Sequence, residues 1–187
     1  PIGPFYTKEQ SDALALEHGW KMIEDSHRGY RRVVPSPMPL AVVERDVVEQ
    51  LLAAGSIVVT VGGGGIPVVD RDGRLDGVEA VVDKDYATAV LAKQLGAERI
   101  ILVTNVDAVY RNFGEPDQEA IEHLTLDEAR SLAAQLPAGS MGSKLKAAVD
   151  YVSSCGGTAV VTRPEDLHDA VEGRAGTRIT VDGGVSP

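Results

Sequence analysis

Ile57-Val58-Val59-Thr60-Val61-Gly62-Gly63-Gly64-Gly65-Ile66-Pro67 is the stretch that decides the fold. Its first five residues are apolar or β-branched without a break. That is the pattern of a strand covered on both faces, so residues 57–61 are predicted to be a strand of a largely parallel sheet. The glycines Gly62, Gly63, Gly64 and Gly65 follow at the strand's carboxyl end, where open α/β sheets bind their ligands. Without Cβ atoms they let backbone amides approach an anion and take positive φ. The run is not a dinucleotide fingerprint, because G-x-G-x-x-G would put glycine at Pro67. It is not a Walker A loop either, since no Gly-Lys-Ser/Thr closes it. A tight turn between strands is the alternative reading.

Working outward, the chain alternates. A helix is expected over residues 41–54, ending at Gly55, and a hairpin over 68–82 with Arg71-Asp72-Gly73 as its turn. Further helices are expected over 85–95 before Gly96, from the Thr125/Glu128 capping pair, over 143–155 before Gly156-Gly157, and over 164–172 opening on proline. Strands are expected over 99–104, 158–162 and 177–181. Helices alternating with apolar strands predict an α/β fold, a three-layer αβα sandwich around a mostly parallel central sheet. The first residues stand apart. Thr7 and Gln10 cap a short helix ending at Gly19, extended stretches follow near 20–24 and 30–34, and Pro35, Pro37 and Pro39 make a linker. The expected domains are therefore a small protruding subdomain, 1–34, and an αβα domain, 35–187.

The composition narrows the function. In 187 residues, 18 Lys and Arg stand against 28 Asp and Glu, a net charge of −10, and none of that excess lies in residues 1–32. A chain so acidic lacks the basic footprint of a nucleic-acid binder and is repelled by anionic lipid. No apolar run approaches the ~18 residues that span a bilayer. Cys155 is alone and His18, His27, His123 and His168 show no ligand spacing, so no metal centre is expected. The expected location is the cytoplasm. The chain opens at Pro1 rather than Met.

Two further segments carry chemistry. Lys84, between Asp83 and Asp85, opens one helix, and Ser140, Met141, Gly142 and Lys144 open another. A cation at the positive end of a helix dipole calls for a compensating anion, supplied either by neighbouring carboxylates or by a bound phosphate. Solvated surface lysines are the plain alternative. Thr104, Asn105, Val106, Asp107 and Tyr110 follow the strand at 99–104 and could line a nucleotide pocket or form an ordinary strand exit. Together, backbone amides and two lysines in an acidic protein fit phosphoryl transfer, which needs positioning and charge neutralisation more than a nucleophilic side chain.

These residues resemble a known family. P-I-G-P-F-Y (1–6), R-G-Y-R-R-V-V-P-S-P (28–37), G-G-G-G-I-P-V (62–68), E-A-V-V-D-K-D (79–85), V-D-A-V-Y-R-N-F-G (106–114) and G-S-M-G-S-K (139–144) are similar to carbamate kinases, within the amino acid kinase superfamily. The resemblance implies reversible phosphoryl transfer between carbamoyl phosphate and ADP, giving ATP and carbamate, with Mg2+. It also implies a homodimer and a place in fermentative arginine metabolism. Lys84 and Lys144 match the lysines that neutralise the transferring group, and Asp83 and Asp85 the acids that orient them. Gly62, Gly63, Gly64 and Gly65 match the loop beside the substrate. Thr104, Asn105, Val106, Asp107, Tyr110, Ser140, Met141, Gly142 and Lys144 match ATP-facing positions, and residues 1 to about 32 match the family's lid.

The chain also departs from that pattern. It has no counterpart of the family's G-G-N-A motif, lacks the lysine that precedes P-I-G-P-F-Y, and carries Asn105 for Asp and Ser143 for Pro. The expectation is an N-terminally incomplete amino acid kinase fold, inactive by itself. The alternatives are a sibling kinase acting on another acid, such as acetylglutamate, and a non-catalytic nucleotide-binding module.

Overall fold

A computed structural model describes residues 1–25, 27–136 and 140–182, with the backbone alone at Ser140. The chain divides into two compact units, Pro1–Met38 with Ile66–Val82, and Pro39–Gly65 with the residues from Asp83 onward.

The first unit contains β1 (Ile2–Tyr6), α1 (Lys8–His18), β2 (Met22–Glu24) and β3 (Tyr30–Arg32). The strands form an antiparallel sheet in the order β1-β3-β2. The capping box is present: Thr7 Oγ1 accepts from the Gln10 N–H, and Gln10 Oε1 accepts from the Thr7 N–H. Gly19 ends α1 in the left-handed region. Among the described residues only Ser11 and Val82 of this unit are buried, so little apolar core holds it. Guanidinium–ring stacking takes that role: Arg28 and Arg31 lie 4.7 and 5.0 Å from the Phe5 centroid, and Arg32 lies 4.3 Å from that of Trp20. Strands β4 (Val68–Arg71) and β5 (Arg74–Gly77) form the expected hairpin, with positive φ at both Asp72 and Gly73, as a two-residue type I′ turn requires.

The second unit holds α2 (Arg45–Ala53), α3 (Lys84–Leu95), β6 (Arg99–Val103), β7 (Val109–Arg111), β8 (Glu119–Ile121), β9 (His123–Thr125), α4 (Leu126–Gln135), α5 (Ser140–Cys155), β10 (Thr158–Thr162), α6 (Leu167–Val171) and β11 (Thr177–Thr180). Its main sheet runs β6-β10-β11-β9. The pairs β6/β10 and β11/β9 are parallel and β10/β11 is antiparallel, so the sheet is mixed. Helices α3, α4 and α5 pack on one face, with α5 against both neighbouring helices and strands β10 and β11. Ala89, Ala129, Ala133, Ala147 and Ala148 at those contacts are almost wholly buried, and their small side chains let the helices approach closely around Leu145, Tyr151, Val152, Val161 and Ile179. Val160 points to the opposite face from Ala159 and Val161 and is also buried, on the strand that α6 touches, which gives the layered αβα arrangement.

Three expectations are corrected. Residues 57–61 do not form a strand: Ile57 and Val59 are 96% and 95% exposed, and among the described residues no strand pairs with them. Val61, with φ 46° and ψ 32°, leaves the extended region and turns the chain into a short 3-10 turn, Gly62–Gly64. The helix expected from residue 41 starts at Arg45, and the Val42 N–H ahead of it donates to Gln94 Oε1. The helix expected over 164–172 is a 3-10 turn, Pro164–Asp166, followed by the short α6.

Candidate active site

Helices α3 and α5 each run into the strand that follows through a short glycine-bearing connection, to β6 and β10 respectively. Their carboxyl ends therefore meet at the sheet's lower edge, where the Tyr151 hydroxyl donates to the Ala97 carbonyl and the Thr158 N–H donates to that of Glu98 (3.0 Å). Their amino ends lie at the opposite edge, beyond the carboxyl ends of β6 and β10, where ligands of such sheets bind.

At that edge Asp85 is the centre of the arrangement. Lys144 Nζ lies 2.9 and 3.1 Å from its two carboxylate oxygens, and both residues are buried, at 5% exposure each. Lys84 Nζ approaches Asp85 Oδ2 at 3.7 Å but is mostly exposed. Asp83 caps α3, its Oδ1 accepting from the Asp85 N–H at 2.8 Å, which fixes the Asp85 backbone. Tyr86 follows, its hydroxyl pushed above its usual range by burial and then by the charges of Asp83 and Asp150. The structure thus brings Asp83, Lys84, Asp85 and Lys144 together. It answers the Lys144 charge with a carboxylate 59 residues away in sequence.

The turn Gly62–Gly64 packs against α3, and Val61 before it packs beside Val90 and Leu91 of that helix. Gly63, Gly64 and Gly65 all have positive φ, and Gly64 is buried. A β-branched residue in the left-handed region at Val61 is a strained position of the kind that clusters at ligand sites.

The third segment leaves β6 at Thr104, whose N–H donates to the Thr162 carbonyl at 2.8 Å. Thr104 Oγ1 donates to Asn105 Oδ1 at 3.3 Å, Asn105 is exposed and Val106 half-buried. The Tyr110 hydroxyl donates to Asp107 Oδ1 at 2.6 Å and holds that carboxyl below the usual carboxylate range, with Arg163 adding to the effect. The same contact raises the Tyr110 hydroxyl. Arg163 carried no signal in the sequence, since it lies 56 positions from Asp107 and in no motif. Met141 packs partly buried against the core and Gly142 is buried. Ser140 opens α5, and the preceding residues 137–139 lie outside the described residues.

The chain matches the amino acid kinase family over residues 9–163 and belongs to it. It is 48% identical over 182 residues to the carbamate kinase of Staphylococcus haemolyticus, covering 96% of this chain and 59% of that protein. To carbamate kinase 2 of Enterococcus faecalis it is 46% identical over 186 residues, covering 98% and 59%. Among solved structures, one from Aeropyrum pernix K1 superposes with a TM-score of 0.91 at 38% identity, covering 97% of this chain and 59% of that one. The carbamate kinase from Giardia lamblia bound to AMP-PNP superposes with a TM-score of 0.85 at 38% identity, covering 96% and 58%. The chain therefore spans about three-fifths of the length of the curated relatives it matches. No helix among the described residues is long and apolar enough to cross a membrane.

Proposed function

We propose that the chain carries the lysine-bearing, nucleotide-facing part of a carbamate kinase, which moves a phosphoryl group between carbamoyl phosphate and ADP. In that reaction the bond between phosphorus and the carbamoyl oxygen breaks, carbamate leaves with the electron pair, and a terminal oxygen of ADP forms the new bond, giving ATP. No proton has to be removed from either oxygen at neutral pH, so the site needs charge neutralisation and alignment rather than a general base.

The observation that carries this reading is the Asp85 carboxylate set between a buried lysine and an exposed one. Lys144, held from both oxygens, is a fixed charge; Lys84, more loosely placed, is free to follow the phosphoryl group as it transfers. Gly62, Gly63, Gly64 and Gly65 would offer amides to the phosphate, and Thr104, Asn105, Val106, Asp107, Tyr110, Ser140, Met141 and Gly142 would face the nucleotide. Mg2+ would ride on the nucleotide phosphates, the usual habit of that ion; among the described residues no three His, Cys, Asp or Glu side chains cluster to cage a metal. Residues 1–34 would act as a lid over the carbamoyl end, and the working protein would be a cytoplasmic homodimer in arginine breakdown.

The test starts with binding, which does not require turnover. AMP-PNP titrated calorimetrically into the 187-residue chain is expected to bind, and Lys84→Met to weaken it roughly tenfold, the worth of one charge-assisted hydrogen bond. No measurable binding would overturn the reading. ATP formation from carbamoyl phosphate and ADP is expected to be absent with this chain alone. Transfer from ATP to acetylglutamate would point to a sibling kinase instead.

A further inference from the structure

A cavity of about 270 Å³ opens in the second unit, where β9 and β11 begin, and neither Lys84 nor Lys144 lines it. Its charged lining is Asp107, Glu122, Asp166, Arg174 and Arg178, with His123 beside them. Most of these groups are already engaged. Asp107 accepts from Tyr110 at 2.6 Å, Asp166 pairs with Arg163 at 2.7 Å, and Arg174 pairs with Asp169 at 2.6 Å.

Arg178 is different. It is half-buried on β11, and among the described residues its guanidinium has neither an ion pair nor a hydrogen bond. Its place is built by glycines. At Gly173 (φ 78°) a Cβ would collide with the Arg178 Nη2, so the guanidinium lies directly on the backbone. At Gly176 (φ 81°) a Cβ would sit 2.6 Å from the Val161 carbonyl and 3.1 Å from the Thr162 Cβ, so the loop is pressed onto β10. The Thr162 hydroxyl under that loop is buried with no hydrogen-bond partner among the described residues. Glu122 and His123, at the mouth, are exposed and unpaired among the described residues.

A half-buried planar fork of donors without a partner fits a carboxylate, which guanidinium binds through two parallel hydrogen bonds. Of the other charges in the wall, Asp166 and Asp107 are answered by Arg163 and Arg174 by Asp169, which leaves the exposed Glu122 carboxylate to meet a cationic group of the ligand. At about 30 Å³ per water-sized group, the cavity holds roughly nine heavy atoms. We propose that this cavity binds a free α-amino acid with a cationic side chain, its carboxylate on Arg178 and its cationic end towards Glu122.

The cavity shares Asp107 with the nucleotide-facing segment, but the proposal does not depend on the kinase reading and the test contains no nucleotide, so either can fail alone. The ¹⁵N-labelled full chain is titrated with L-lysine, L-norleucine and L-glutamate, which are within one atom of each other in length and differ in side-chain charge. The expected result is amide shifts confined to residues 107–108, 120–123 and 173–178, with affinity in the order lysine, norleucine, glutamate. Arg178→Met is expected to weaken lysine binding roughly tenfold. Glu122→Gln is expected to bring lysine down towards norleucine. Because Glu122 is exposed, that variant decides the matter if Arg178→Met does not fold. Absence of localised shifts with all three ligands, the reverse order of affinity, unchanged binding in Glu122→Gln, or shifts centred on Lys84 and Lys144 would each overturn it.

Discussion

Replacing Asp85 by asparagine separates a buried ion pair from an exposed one on the same carboxylate. Lys144 is 5% exposed and its Nζ lies 2.9 Å from Asp85 Oδ1. At that distance and an effective dielectric constant of about 20, the attraction is roughly 6 kcal/mol before desolvation is counted. Asparagine keeps one oxygen as acceptor but removes the charge, leaving a buried ammonium uncompensated, which costs about 3–5 kcal/mol. For a chain of this size that lowers Tm by roughly 6–20 °C. Lys84, at 63% side-chain exposure and 3.7 Å, behaves otherwise: Lys84→Ala costs no more than about 1 kcal/mol. Thermal unfolding followed by circular dichroism on Asp85→Asn, Lys144→Met and the double variant completes the cycle. The double variant is expected to be far less destabilised than the two singles together, because it leaves no orphaned charge. An Asp85→Asn variant within about 1 kcal/mol of the parent, or additive single effects, would refute the reasoning.

Two further outcomes follow from the same unit. Tyr110→Phe removes the hydroxyl that depresses the Asp107 carboxyl, so the Asp107 pKa, read from its ¹³C carboxyl resonance, should rise towards the ordinary value of about 3.9. The sign follows: a depressed carboxyl stabilises the fold above its unfolded pKa and loses that contribution as pH falls through its folded pKa, so the variant's stability should fall off less steeply below about pH 4. Leu145→Ala, at a fully buried position of α5, should cost about 2–5 kcal/mol in urea unfolding, and a loss below 1 kcal/mol would contradict its place in the core.

Local chemistry was the legible part of the fold. Thr7 with Gln10 and Thr125 with Glu128 announce helix starts because their hydrogen bonds close within three residues, and Gly19 and Gly96 announce ends because the turn needs positive φ. Residues 57–61 misled because an apolar run says only that a segment can be covered, not that a neighbouring strand is present. Strands β7, β8 and β9, three residues each, are too short for a period to show. The antiparallel direction of β11 lies in its connection, not in its residues. At the site, the anomaly of lysines near helix starts was visible, and so were the acids beside Lys84. The pairing of Lys144 with Asp85 across 59 residues was implied by the family resemblance alone, since the lysine's dipole argument allowed a carboxylate or a phosphate equally.

Thr177 stitches the small hairpin of β7 and β8 to the main sheet: its buried hydroxyl accepts from the Val109 N–H at 2.7 Å and donates to the Ile121 carbonyl at 2.5 Å. A three-residue strand ordinarily frays on its own. Here the Val109 amide is held by a side chain rooted in β11, so its hydrogen cannot exchange with solvent until β11 itself lets go. One amide in a minor hairpin thereby reports the opening of the central sheet, and a methyl in place of the Thr177 hydroxyl would uncouple the two clocks while leaving the hairpin's own ladder intact.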